Sequence, residues 1–156
     1  MASTTTLSLA NGYKMPVLGL GTYQEGDDLS PKDESGAFLT TDTDYLETWR
    51  GMEECVRQGL TRSIGVSNFN SEQITRLLEV AKIVPVNNQV EVNVNLNQHK
   101  LIEFCSKRNI SITGYSPLGQ PGNKAGISNS LDHPTIQGLA KKYNKTTAQV
   151  ALRYAV

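Results

Sequence analysis

"RSIGVSNFNSEQITRLLEVAKIVPVNNQVEVNV", Arg62 to Val94, changes periodicity twice. A short apolar run, Ile64 and Val66, breaks into the polar pair Ser67-Asn68. Asn70 and, three residues on, Gln73 form a helix-start signature, in which each side chain satisfies a free backbone N–H. Ile74, Leu77, Leu78 and Ala81 then recur at the spacing of one helical face. "VPVNNQVEVNV" returns to a strand. Strand, helix and strand in such close succession predict a right-handed crossover between two parallel strands.

The alternation continues on both sides. Upstream, Tyr45, Leu46, Trp49, Met52, Glu53 and Val56 trace a helix face, with Asp42 or Thr43 as the expected cap and Gly59 at the end. Downstream, "QHKLIEFCSKRN" reads as a helix with Leu101, Ile102 and Cys105 inward, and "ISITGYSPLG" as a third strand. Pro134 opens another helix and "KTTAQVALRYAV" forms a last one. Near the start, Leu7 and Leu9 alternate with polar residues, and Met15, Val17 and Leu18 follow Asn11-Gly12. That predicts a hairpin closed by a two-residue turn. One domain is expected over 1–156: the hairpin and a first strand segment over 1–24, a polar loop over 25–42, and βα units over 43–156. Three parallel strands form an arc with two unpaired edges, whereas a closed ring of such units needs eight. Ile64, Val66, Val90 and Val92 are expected to face inward, with partners from only part of the circle.

Composition narrows the function classes. Fifteen Lys and Arg balance fifteen Asp and Glu, so no long-range field favours nucleic acid or an anionic membrane. The opening residues lack a basic and apolar leader, and no stretch is long and apolar enough to span a bilayer. A cytoplasmic location is the expectation. Cys55 and Cys105 sit in helical patterns without metal spacing and are expected to be buried thiols.

Five strings are more specific than periodicity: "MPVLGLGT" (15–22), "IGVSNF" (64–69), "NNQVEV" (87–92), "GYSPLG" (114–119) and "TTAQVALRYA" (146–155). In this order they closely resemble the aldo-keto reductases, and "EGDDLSPKDESG" (25–36) resembles that family's loop over the barrel mouth. The resemblance implies an α/β fold, an incomplete (β/α)8 TIM barrel of three parallel strands with helices and an N-terminal β-hairpin. It also implies NADP(H) chemistry, the reduction of a small-molecule carbonyl to an alcohol, at the strand C-termini. The same comparison implies an internal deletion between Gln24 and Glu25 and a shortened C-terminus.

A nicotinamide needs an aromatic ring beneath it and donors and acceptors around its carboxamide. By resemblance, Tyr115 is the stacking ring and Ser67, Asn68 and Gln89 hold the carboxamide. Thr22 lies beside the ring, Ser116 and Leu118 touch the pyrophosphate side, and Tyr23 stands in the substrate pocket. Gln120 and Gly122 depart from the family's usual Ser and Asp. Taken singly, each residue has a structural reading as well. Tyr115 can be packing, "SNF" a helix entry, and Glu91 and Asn93 barrel-lining polars.

The family supplies its proton from a Tyr paired with Lys and Asp, beside a His that orients the carbonyl. No position in this sequence matches these four, so no catalytic residue is assigned. His99 is expected to begin a helix away from the strand C-termini, His133 to lie in a long loop, and Tyr13 to lie in the hairpin. Tyr23 lacks a lysine partner. A fragment or isoform, catalytically silent alone and with weak or absent NADP(H) binding, is therefore expected. Alternatives are a binding or regulatory half-barrel that pairs with a full-length relative, and a reductase with a site rebuilt around Tyr23 and Tyr115. Open edges and exposed apolar surface imply self-association.

Overall fold

A computed structural model of the protein describes residues 5–17, 32–37, 42–119 and 130–155. Strands β1 (Thr6–Ser8) and β2 (Lys14–Pro16) pair antiparallel, with Leu7 opposite Met15. The connection is longer than the two residues expected. Leu9 N–H donates to the Tyr13 carbonyl at 2.8 Å, Gly12 N–H donates to the Leu9 carbonyl at 2.9 Å, and Gly12 has φ 83°. This is a three-residue loop with glycine at the left-handed bulge position. Asn11 ties the hairpin tip to the main body by donating to Ser63 Oγ at 2.9 Å. Leu9 is buried, whereas Leu7 and Val17 are exposed. Leu18 lies outside the described residues.

Helix α1 (Tyr45–Arg57) is capped by Asp44, not by Asp42 or Thr43. The Asp44 carboxylate accepts from Leu46 N–H at 3.0 Å and also pairs with Arg76. One side chain therefore starts α1 and fastens it to the next helix. Then follow β3 (Val66–Ser67), α2 (Ser71–Leu78), β4 (Asn87–Glu91), α3 (His99–Ser106) and β5 (Ser111–Tyr115). Both halves of the Asn70–Gln73 capping box are present. The strands form one parallel sheet in the order β3-β4-β5, with Val66 opposite Asn88, Gln89 opposite Thr113, and Glu91 opposite Tyr115. A short 3-10 turn, Ser130–Asp132, leads to α4 (Pro134–Tyr143) and α5 (Thr147–Tyr154).

The core corrects the expected facing of the strands. Ile64 packs with Trp49 of α1 and Leu77 of α2, and Val66 joins them. Ile74, Cys105 and Ile110 form a second cluster, with Ile112 against it. Because Asn88 lies opposite Ile112, strand alternation puts Asn88, Val90 and Val92 on the same helix-covered face. Thus Ile64, Val66, Val90 and Val92 do not line a barrel interior. The opposite face carries Ser67, Asn87, Gln89, Glu91, Thr113 and Tyr115. It is polar, and Thr113 bonds Asn87 across it at 3.0 Å. Helix-side burial is what an arc can satisfy without closing. Fully burying Ile74 and Leu77 contributes about 1.5–3 kcal/mol each.

Leu60 (72%), Tyr143 (59%) and Tyr154 (54%) are among the large apolar side chains left in water. No helix among the described residues is long and apolar enough to cross a membrane.

Candidate functional site

Only two residues, Asn68 and Phe69, separate the end of β3 from the Asn70 cap of α2. So tight a turn needs an unusual backbone, and Asn68 takes φ 58°. Asparagine tolerates the left-handed region better than most residues. The Gln89 carbonyl accepts twice here, from Asn68 N–H at 2.9 Å and from Ser67 Oγ at 3.0 Å. Ser67 and Gln89 are exposed at the sheet's end.

On the other side, Tyr115 ends β5 and its hydroxyl donates to Asn68 Oδ1 at 3.0 Å. The next residue, Ser116, is also left-handed at φ 45°, and its carbonyl accepts from Gly119 N–H at 2.9 Å. Two strained non-glycine residues thus flank the C-terminal ends of the three strands, a feature that clusters at functional sites. The structure brings Ser67, Asn68, Gln89 and Tyr115 together, with Ser116 adjoining and Leu118 half-buried in the following turn. Thr22, Tyr23, Gln120 and Gly122 lie outside the described residues.

Sequence reasoning missed part of the support. Asn88 is fully buried, accepting from Phe69 N–H at 3.4 Å and donating to the Phe69 carbonyl at 2.8 Å. Its signal was an amide on a strand face otherwise given to apolar residues. Asn93 is also buried; it donates to Glu91 Oε1 at 2.8 Å and accepts from Asn95 N–H at 2.9 Å. Burial pushes the Cys105 thiol pKa up, opposed by its hydrogen bond with Asn88. His99 begins α3, as expected, and the Gln98 before it reaches the end of β4 with Nε2 donating to the Glu91 carbonyl at 3.3 Å. His133 is the cap of α4, with Nδ1 accepting from Thr135 N–H at 3.3 Å. Among the described residues no cluster of His, Cys, Asp or Glu is arranged to hold a metal ion.

Residues 36–156 match the model of the aldo/keto reductase family. The chain belongs to this family. The match includes all three parallel strands. "Aldo-keto reductase family 1 member A1-A" of Danio rerio is 44% identical over 137 residues, which cover 86% of this chain and 42% of that protein. "Estradiol 17 beta-dehydrogenase 5" of Mus musculus is 44% identical over 135 residues, covering 83% and 42%. "Protein REDOX 2" of Catharanthus roseus is 49% identical over 111 residues, covering 71% and 34%. The family fold is also seen in "Structure of the Aldose Reductase from Schistosoma japonicum", with a TM-score of 0.72 and 39% identity over 83% of this chain and 40% of that one. The chain therefore spans about 42% of the length of curated family members that it matches. Its three parallel strands, helices and hairpin form part of a (β/α)8 barrel, as the sequence implied.

Proposed function

We propose that this chain carries the nicotinamide end of an NADP(H) site of the carbonyl-reducing kind and is catalytically silent alone. The convergence of Ser67, Asn68, Gln89 and Tyr115 on one end of the sheet supports the reading. The donor set fits a carboxamide. Ser67 Oγ donates to a backbone carbonyl and keeps lone pairs for a ligand N–H. Asn68 Oδ1 takes the Tyr115 hydroxyl, and its amide N–H groups suit a ligand carbonyl. Tyr115 supplies the ring face, with Ser116 and Leu118 following toward the pyrophosphate. Thr22 and Tyr23 are assigned to the ring and the carbonyl pocket by sequence resemblance alone.

When bound, the cofactor supplies a hydride; the protein must supply the proton that the reduced oxygen takes. A positioned acid is worth about 10²–10⁴-fold. The sequence offers no counterpart of the family's Asp, Tyr, Lys and His, which is the basis for silence and for regarding the chain as a truncated form. Weak NADP(H) binding and a cytoplasmic location belong to the same proposal. NADPH fluorescence titration tests the site: gradual quenching supports it, and the absence of any effect at millimolar nucleotide refutes it. Consumption of NADPH with a nitrobenzaldehyde at rates of intact relatives refutes silence.

A second reading is a half-barrel that pairs with a full-length relative or with another copy. The exposed Leu60, Tyr143 and Tyr154 and the outer edges of β3 and β5, which pair with no other described strand, favour it. Size-exclusion chromatography with and without a relative decides it by the presence or absence of a mixed species.

A further inference from the structure

Asn88 occupies a strand position on the helix-covered face, yet it is polar and 0% exposed. Burying an amide without partners costs about 1–3 kcal/mol. Here it is satisfied by both backbone groups of one residue, Phe69, at 3.4 and 2.8 Å. The orientation of the amide follows, since only Oδ1 can accept from an N–H and only Nδ2 can donate to a carbonyl. The pair of bonds gives Phe69 what a neighbouring strand would give, one residue past the left-handed Asn68. On the other side of Asn68, its own N–H is fixed on the Gln89 carbonyl at 2.9 Å. The φ of 58° at Asn68 is thus held from both directions.

We infer that Asn88 is a positioning residue: its buried amide clamps Phe69 and so aims the Asn68 side chain at Tyr115 and at a ligand carboxamide. The ligand named here rests on the proposed cofactor reading; the clamp does not. Asn88 lies on the opposite face from Ser67 and Gln89 and acts through the backbone. A residue of similar volume without the amide fills the space but leaves the turn free.

The test uses the full chain, labelled for NMR, as wild type, Asn88→Leu and Asn88→Asp. It reads the Asn68 HN–Hα coupling, the Asn68–Tyr115 ring contact, thermal unfolding, and shifts on adding NADPH. In folded Asn88→Leu the left-handed coupling and the ring contact are lost, and any NADPH effect at Asn68 weakens about tenfold, the loss of one oriented hydrogen bond. In Asn88→Asp the ionised carboxylate has no donor for the Phe69 carbonyl, so the contact is lost at high pH. It returns as the buried acid protonates, because the neutral acid again carries donor and acceptor. A merely structural Asn88 shifts the melting temperature and leaves Asn68 where it was; that result overturns the inference. If Asn88→Leu does not fold, the Asp variant decides alone, and the absence of a pH-linked return overturns it. A wild type blind to NADPH overturns the cofactor reading, while the nucleotide-free spectra still judge the clamp.

Discussion

The Tyr115 hydroxyl donates to Asn68 Oδ1 at 3.0 Å, joining residues 47 apart in sequence. The bond passes over β4 and links the ends of the two outer strands. Tyr115→Phe removes it and keeps the ring. The expected loss of stability is about 0.5–1.5 kcal/mol, measured by urea unfolding. Tyr115→Ala also removes the ring face, so the quenching of NADPH fluorescence that survives in the Phe variant disappears in the Ala variant.

Gly65, just before β3, lies against the backbone of β4. A Cβ there would lie 2.6 Å from the Asn87 carbonyl oxygen, a backbone atom that cannot swing aside. Gly65→Ala is expected to destabilise by about 1–3 kcal/mol through strand separation. Gly138 in α4 meets nothing within 4 Å. There the same change is expected to stabilise by about 0.8–1.0 kcal/mol through helix propensity. Opposite shifts of the two urea midpoints check the pair.

Leu77 is 0% exposed and joins α2 to Trp49 and Ile64. Leu77→Ala is expected to cost about 2–5 kcal/mol, as cavity-forming changes do. Losses below 1 kcal/mol by chemical denaturation would contradict the helix-side core.

Acid weakens the fold in a defined window. Bonds from Arg57, then Gln58, lower the Glu54 pKa from the ordinary 4.5 to about 2, and the bond from Arg76 lowers that of Asp44. Both folded values lie below the unfolded ones, so the unfolded chain binds the extra protons. The contribution of Glu54 is full above about pH 4.5 and disappears as pH falls toward about 2. Both groups are exposed, so added salt shrinks the effect. Melting curves of wild type and Glu54→Gln should converge at low pH and separate above it.

The two thiols separate by burial. Cys105 is 0% exposed with its pKa raised by burial, while Cys55 is half-buried. Iodoacetamide at pH 8 is expected to label Cys55 first and Cys105 only on unfolding, since the thiolate is the reactive form. Equal labelling in the folded protein, read by mass spectrometry, would contradict this placement.

Much of the order of elements was legible because local signals agreed. The Asn70–Gln73 box, Pro134 at the first turn of α4 and the periodicity of α2 all act within a few residues. What was misread depended on distant partners. Asp42, Thr43 and Asp44 can all cap a helix, and Arg76, 32 residues from Asp44, accompanies the one that does. Asn-Gly suits a two-residue or a three-residue hairpin loop, and the Leu9–Tyr13 pairing selects the longer. Strand alternation at Ile64, Val66, Val90 and Val92 gave two faces but not which one the helices cover. In the site, Ser67, Asn68, Gln89 and Tyr115 came from motif resemblance, whereas Asn88 showed only as an amide on an apolar face, since its partners are backbone atoms 19 residues away.

Each strand keeps its grease on the outside, against helices that arrive with it in the chain. A segment of the ring therefore travels like a slice cut with its rind. For these three strands the axis side presents polar groups, with bare margins at β3 and β5. The hazard for this slice is misplaced sticking at its margins, not an oily face left open at its centre.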